Sequence, residues 1–170
     1  MTVTISIIIA AIIYLLYNSA AISIFGIPPS LSETFYLYKN KWNCGYVFPI
    51  MMYVVVAFML PAWLTMSEGS NFQFLSFLAP ASLLFVGTAP AFKSSNLENA
   101  VHSVSAIFAA ICSLLWVIIV TPYWWHILIC FVYFALVAII TKSVKSAKIY
   151  WLESVAFFST FSSAISYSIL

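Results

Sequence analysis

Residues Lys93 to Trp116, KSSNLENAVHSVSAIFAAICSLLW, decide how the chain is read, because a polar run there opens an apolar segment of membrane-spanning length with His102 inside it. Laid on a helix, Glu98, His102, Ser105, Ala109 and Cys112 share one face. Leu97, Val101, Val104, Phe108, Ile111 and Leu115 share the other. The first face is small and polar, the second wholly apolar. In lipid the apolar face meets acyl chains, and the small polar face turns to other helices or to a water-filled space.

The rest of the composition agrees with a lipid solvent. Of 170 residues 65% are apolar and 6% charged, with neither Arg nor Asp. The mean hydropathy is +1.11. A soluble domain carries charge on about a quarter of its residues. The net charge of +2 is too small to point to a nucleic-acid partner, so the six lysines serve better as topology signals. Cys44, Cys112 and Cys130 match no metal or redox spacing, and no disulfide framework is expected.

Apolar runs long enough to cross a hydrocarbon core of about 30 Å occur at Val3 to Phe25, Tyr46 to Met66, Phe72 to Pro90, Asn96 to Val120, Tyr123 to Thr141 and Ala147 to Ser168. These predict an all-α, single-domain transmembrane bundle of six helices over residues 1–170. The fourth and fifth segments are parted only by Thr121-Pro122. The first has no basic flank ahead of its apolar run, so it reads as a retained helix rather than a cleaved signal. With six segments, Lys39, Lys41, Lys93, Lys142, Lys145 and Lys148 all fall on one side. The positive-inside rule makes that side cytoplasmic and both termini non-cytoplasmic. Tyr123, Trp124, Trp125 and His126 then form an outer interfacial belt, and Trp42, Tyr150 and Trp151 an inner one.

The connection from Gly26 to Cys44 is patterned. Pro28-Pro29 ends the first helix, and Ser30-Leu31-Ser32-Glu33 has capping-box spacing ahead of Leu31, Phe35 and Tyr38 on one face. A short amphipathic helix near residues 30–39, lying on the cytoplasmic leaflet, is expected. Ser95-Asn96-Leu97-Glu98 repeats the spacing at the start of the fourth segment. In the third, Pro80 predicts a kink and Pro90 an end, which favours an interior position where neighbours satisfy freed carbonyls.

The candidate functional cluster is Glu33, Glu98, His102 and Ser105, all on the cytoplasmic half. His102 lies about 10 Å along the axis from the cap at Ser95. An ionisable group at that depth is a candidate proton relay or acid–base group. Each member also has a plain structural reading. Glu33 and Glu98 complete capping boxes, and His102 donates to a carbonyl freed in the kinked third helix. With two His in the chain and His126 on the opposite side, a three-His zinc site is excluded, and neither a metal nor another cofactor is expected. Ser159, Ser162, Ser163 and Ser166 form a hydroxyl stripe on the last segment, read either as close helix packing or as the lining of a hydrated path. Glu153 reads as a solvated interfacial group, with Lys148 or the same cytoplasmic vestibule as alternatives. No hydrolase, phosphate-loop or dinucleotide signature is present.

At GIPPSLSETFY, FLSFLAPASLLFVGTAPAFK and LENAVHSVSAIFAAICSLLW the chain resembles small integral membrane proteins of Bacteroidota and their phages. That resemblance implies an integral membrane protein and no particular activity. The chain is more loosely similar to ceramidase-like membrane hydrolases, whose zinc site uses Ser, Asp and several His. Here His102 has nearby serines, but there is no Asp and no HxxxH pair.

The expected function is a small channel or transporter of the bacterial inner membrane, multi-pass and homo-oligomeric. The lipid bilayer is its partner, and a polar vestibule faces the cytoplasm. Two other classes stand beside it: a lipid-modifying membrane hydrolase, and a non-catalytic scaffold or phage assembly or lysis factor.

Overall fold

The computed structural model describes residues 2–169. It is all-α: α1 (Thr2–Phe25), α2 (Thr34–Trp42), α3 (Val47–Met66), α4 (Gln73–Thr88), α5 (Asn96–Val120), α6 (Trp125–Ile140) and α7 (Lys148–Ile169). Local chemistry explains where these helices stop. Gly26 takes φ +75°, a left-handed conformation in which a side chain is strained, and its N–H bonds the Ile22 carbonyl at 2.8 Å. Pro28 and Pro29 then keep the helix from resuming. α2 closes on left-handed Asn43, whose N–H reaches the Lys39 carbonyl. At the start of α5, Ser95 is extended and its hydroxyl accepts the Glu98 N–H at 3.2 Å.

α1 packs on α3, α3 on α4, α4 on α5, α5 on α7, and α7 back on α1, giving a closed ring of five long helices. α6 lies outside the ring against α7, with only Phe134 and Ala138 buried. α3 and α4 meet over a glycine: a Cβ on Gly87 would stand 2.8 Å from Tyr53 Cε1. α4 runs through Pro80, whose missing N–H leaves the Ser76 carbonyl without its helical partner.

Hydrogen bonds identify the two ends of the ring. At one end the α1–α2 connection meets the α4–α5 connection through the Glu33–Lys93 ion pair. The same connection meets the start of α7 where Tyr150 N–H donates to the Pro29 carbonyl at 3.1 Å. All six lysines lie on the connections and helix termini of that end. At the other end Trp116 Nε1 donates to Ser67 Oγ at 2.7 Å, and Thr4 Oγ1 to the Ser168 carbonyl at 3.2 Å.

The outside is apolar. Ile5, Ile12 and Leu16 of α1, Leu97, Val104, Ile107 and Ile111 of α5, and Leu128, Val132 and Leu136 of α6 are exposed. Such surface suits acyl chains. α1, α3 and α5 are long and apolar enough to cross a membrane, which makes membrane association a property of the fold. α4 and α6 are apolar but have 16 residues each, and the 22 residues of α7 are interrupted by Lys148, Glu153 and a series of hydroxyls.

The short second helix differs from its expected span near 30–39, starting at Thr34 and ending at Trp42. Residues 31–33 form a turn instead, with Leu31 drawn into the bundle and buried. Tyr150 is likewise not an interfacial ring. It is buried, and its hydroxyl donates to Asn18 Oδ1 at 3.2 Å.

Candidate functional site

A cavity of about 70 Å³ lies inside the ring. That is several times the ~10–15 Å³ that one water requires by a comparable measure. Its walls follow from helical periodicity. α5 contributes Ala106, Ala109, Ala110 and Ser113, whose short side chains leave the space open. α7 contributes Glu153, Ala156, Phe157, Thr160 and Phe161 at the same repeat. α3 lines the cavity with residues from Phe48 to Trp63, ~22 Å apart at the helical rise. Ala79, Leu83 and Val86 of α4 complete it.

The cavity is partly open, and distinct groups bound its two ends. At the lysine-bearing end the plug is the Ser30–Glu33 turn, of which Leu31 and Ser32 line the cavity. Three side chains hold this plug. A Glu153 carboxylate oxygen accepts the Leu31 N–H at 2.6 Å. Thr34 Oγ1 donates to the Leu31 carbonyl at 2.5 Å and meets the Tyr17 hydroxyl at 2.5 Å. At the far end Trp63 packs edge-on to Trp116, with ring centroids 5.1 Å apart, and Ser67 anchors Trp116.

The lining is apolar except for a few groups. Trp63 Nε1 and Thr160 Oγ1 are buried without a hydrogen-bond partner among the described residues. Each such group costs about 1–3 kcal/mol, which marks them as places where a bound molecule would gain contacts. Glu153 is the one carboxylate in the wall. Its only protein hydrogen bond among the described residues is the Leu31 amide.

The residues singled out in sequence are placed differently. His102 is buried, and its Nδ1 stands 3.0 Å from the Ala89 carbonyl, an acceptor, so that nitrogen carries the proton. Its ring stacks on Phe92 with centroids 4.7 Å apart. His102 therefore fastens the end of α4 to α5, through the carbonyl of the residue that follows α4 and not one freed at the Pro80 kink. Glu33 pairs with Lys93, and its N–H bonds Ser30 Oγ at 3.2 Å. Tyr36 hydroxyl accepts the Lys93 N–H at 2.7 Å, so α2 clasps the α4–α5 connection. Glu98 receives the cap from Ser95 through its N–H, while its Oε2 is buried without a partner. Ser105 is half-buried. No group of three His, Cys, Asp or Glu side chains capable of holding a metal occurs among the described residues.

The hydroxyl stripe of α7 does not line the cavity. Ser163 Oγ meets His126 Nδ1 at 3.1 Å, so the stripe is where α6 docks. Ser159 and Ser162 bond carbonyls of their own helix. The cavity wall is the adjacent face of α7, which begins with Glu153. Glu153 is half-buried, lines the cavity, and makes no ion pair with Lys148 among the described residues. It shares a face with Ala156, Phe157 and Thr160 by spacing alone, and that shared face was the available signal.

No protein-family model, curated protein or solved structure matches this chain.

Proposed function

We propose that the chain is a multi-pass protein of the cell membrane, with six spans and its lysine-bearing end in the cytoplasm, that takes a small, mainly apolar molecule into the intramembrane cavity. It is a transporter rather than an open channel. The observation that carries this reading is an apolar cavity among helices with apolar outer faces, bounded by Leu31 and Ser32 of the Ser30–Glu33 turn at one end and by Trp63 at the other. A channel requires a continuous path lined by groups that replace water. Here the lining is almost wholly apolar. A hydrolase reading has less support, since Glu33 is neutralised by Lys93 and His102 is committed to the Ala89 carbonyl.

The plug is the natural gate. It is a short turn tied down by a few hydrogen bonds, so it can detach while the helices stay packed. The test is photolabelling in phosphatidylcholine nanodiscs with an uncharged octanol bearing a diazirine. Labels on Ala109, Phe157 and neighbouring cavity residues are expected, and Ala109→Phe should remove them. Labels confined to lipid-facing residues such as Ile107 and Ile111 would refute the reading and favour a non-catalytic scaffold.

A further inference from the structure

We infer that the cavity selects lipophilic ammonium ions, with the cation seated on the Glu153 carboxylate and the alkyl body lying along α3, α5 and α7. This rests on the cavity reading above and names its ligand class.

Glu153 sits at the plugged end of an apolar wall, and one oxygen accepts a single N–H, from Leu31. Tyr14 of α1 and Tyr150 of its own helix lie near it, and neither side chain can carry a positive charge. The ion pair present among the described residues is Glu33–Lys93, elsewhere on the same end. No cation among the described residues pairs with this carboxylate. A half-buried carboxylate facing an apolar space, with one N–H partner and no cation, gains from a guest that brings a positive charge. Phe157, one turn further along α7, presents a ring to the same space, which favours a quaternary or alkylated ammonium over a hydrated inorganic ion. The lining beyond Glu153 is apolar and suits an alkyl chain. At its far end the unpartnered Trp63 Nε1 and Thr160 Oγ1 offer a donor and a hydroxyl to a polar terminus of the guest.

The arrangement also links loading to release. The oxygen that would meet an ammonium belongs to the carboxylate that holds the Leu31 amide. A cation on Glu153 competes with that amide and loosens the plug on the lysine-bearing side.

The experiment compares three octyl diazirine probes in the same nanodiscs: trimethylammonium, hydroxyl and carboxylate heads. The readout is labelling of cavity residues, with affinity measured by competition from unlabelled octyltrimethylammonium. The inference predicts at least tenfold tighter binding of the ammonium than of the alcohol, and a ratio near one in Glu153→Gln. Gln retains an oxygen for the Leu31 amide, so the plug keeps its anchor. Should that variant fail to fold, the wild-type ratio still decides. Equal labelling by ammonium and alcohol, or strongest labelling by the carboxylate, overturns cation selection while leaving the cavity reading intact. Labelling of the cavity by no probe overturns both.

Discussion

Replacing His102 separates a structural role from a functional one. Its Nδ1–H satisfies the Ala89 carbonyl at 3.0 Å, at the end of α4 where Pro90 has no N–H to offer. His102→Ala leaves that carbonyl unpartnered, at about 1–3 kcal/mol. It also deletes the stack on Phe92, whose centroid is 4.7 Å away. An aromatic pair of that kind is worth a further ~0.5–1.5 kcal/mol, giving a total near 1.5–4.5 kcal/mol. His102→Asn places an amide N–H near the position of Nδ1, and so should lose only the stacking share, about 0.5–1.5 kcal/mol. The assay is reversible unfolding of both variants in mixed micelles by titration with dodecyl sulfate, followed by helical circular dichroism. Octanol photolabelling of the cavity should persist in His102→Asn. Equal loss of stability in the two variants would refute the hydrogen-bond account. Loss of labelling in a stably folded His102→Asn would return His102 to the functional site.

Three further outcomes follow from the packing. Gly87→Ala puts a methyl 2.8 Å from the Tyr53 ring, so it should cost about 1–3 kcal/mol in the same titration, and Tyr53→Leu should relieve most of that. Ser163→Ala removes the partner of His126 Nδ1 and should loosen α6 by about 0.6–1.7 kcal/mol, read as faster amide exchange at the start of α6 with α3 and α4 unchanged. Burial, with a smaller contribution from Cys44, raises the Tyr38 hydroxyl above the usual value of 10.0. Unfolded chains then lose that proton first, so the stability from neutral Tyr38 is full below about pH 10 and declines as pH rises toward the folded value. Tyr38→Phe should flatten the alkaline limb of the stability profile.

Much of the fold could be read from the chain because its signals are local. Ser95 caps α5 through the Glu98 N–H, Pro28-Pro29 follows the end of α1, and the two faces of α5 separate as periodicity requires, with Leu97, Val104 and Ile111 outside and His102, Ala109 and Cys112 inside. The gathering of the lysines at one end followed from counting segments. The site was less legible because its bonds are long-range. Leu31 and Glu153 are 122 residues apart, and nothing in either neighbourhood announces the other. Periodicity places residues on faces without saying which helix each face meets. The Ser159 to Ser166 stripe was a correct surface whose neighbour, α6, could not be inferred. Glu33 and Glu98 had the same limit: their spacing fitted caps, but the Lys93 partner of Glu33 comes from another connection.

The most direct measurement of the central claim is the stoichiometry of octanol bound to purified protein by equilibrium dialysis, with wild type set against Ala109→Phe and the lipid-facing control Ile107→Phe. The cavity predicts about one saturable site per chain in wild type and in Ile107→Phe, and at least a tenfold weaker site in Ala109→Phe. Equal, non-saturating uptake by all three proteins would mean that the space inside the ring binds nothing, and would contradict the account.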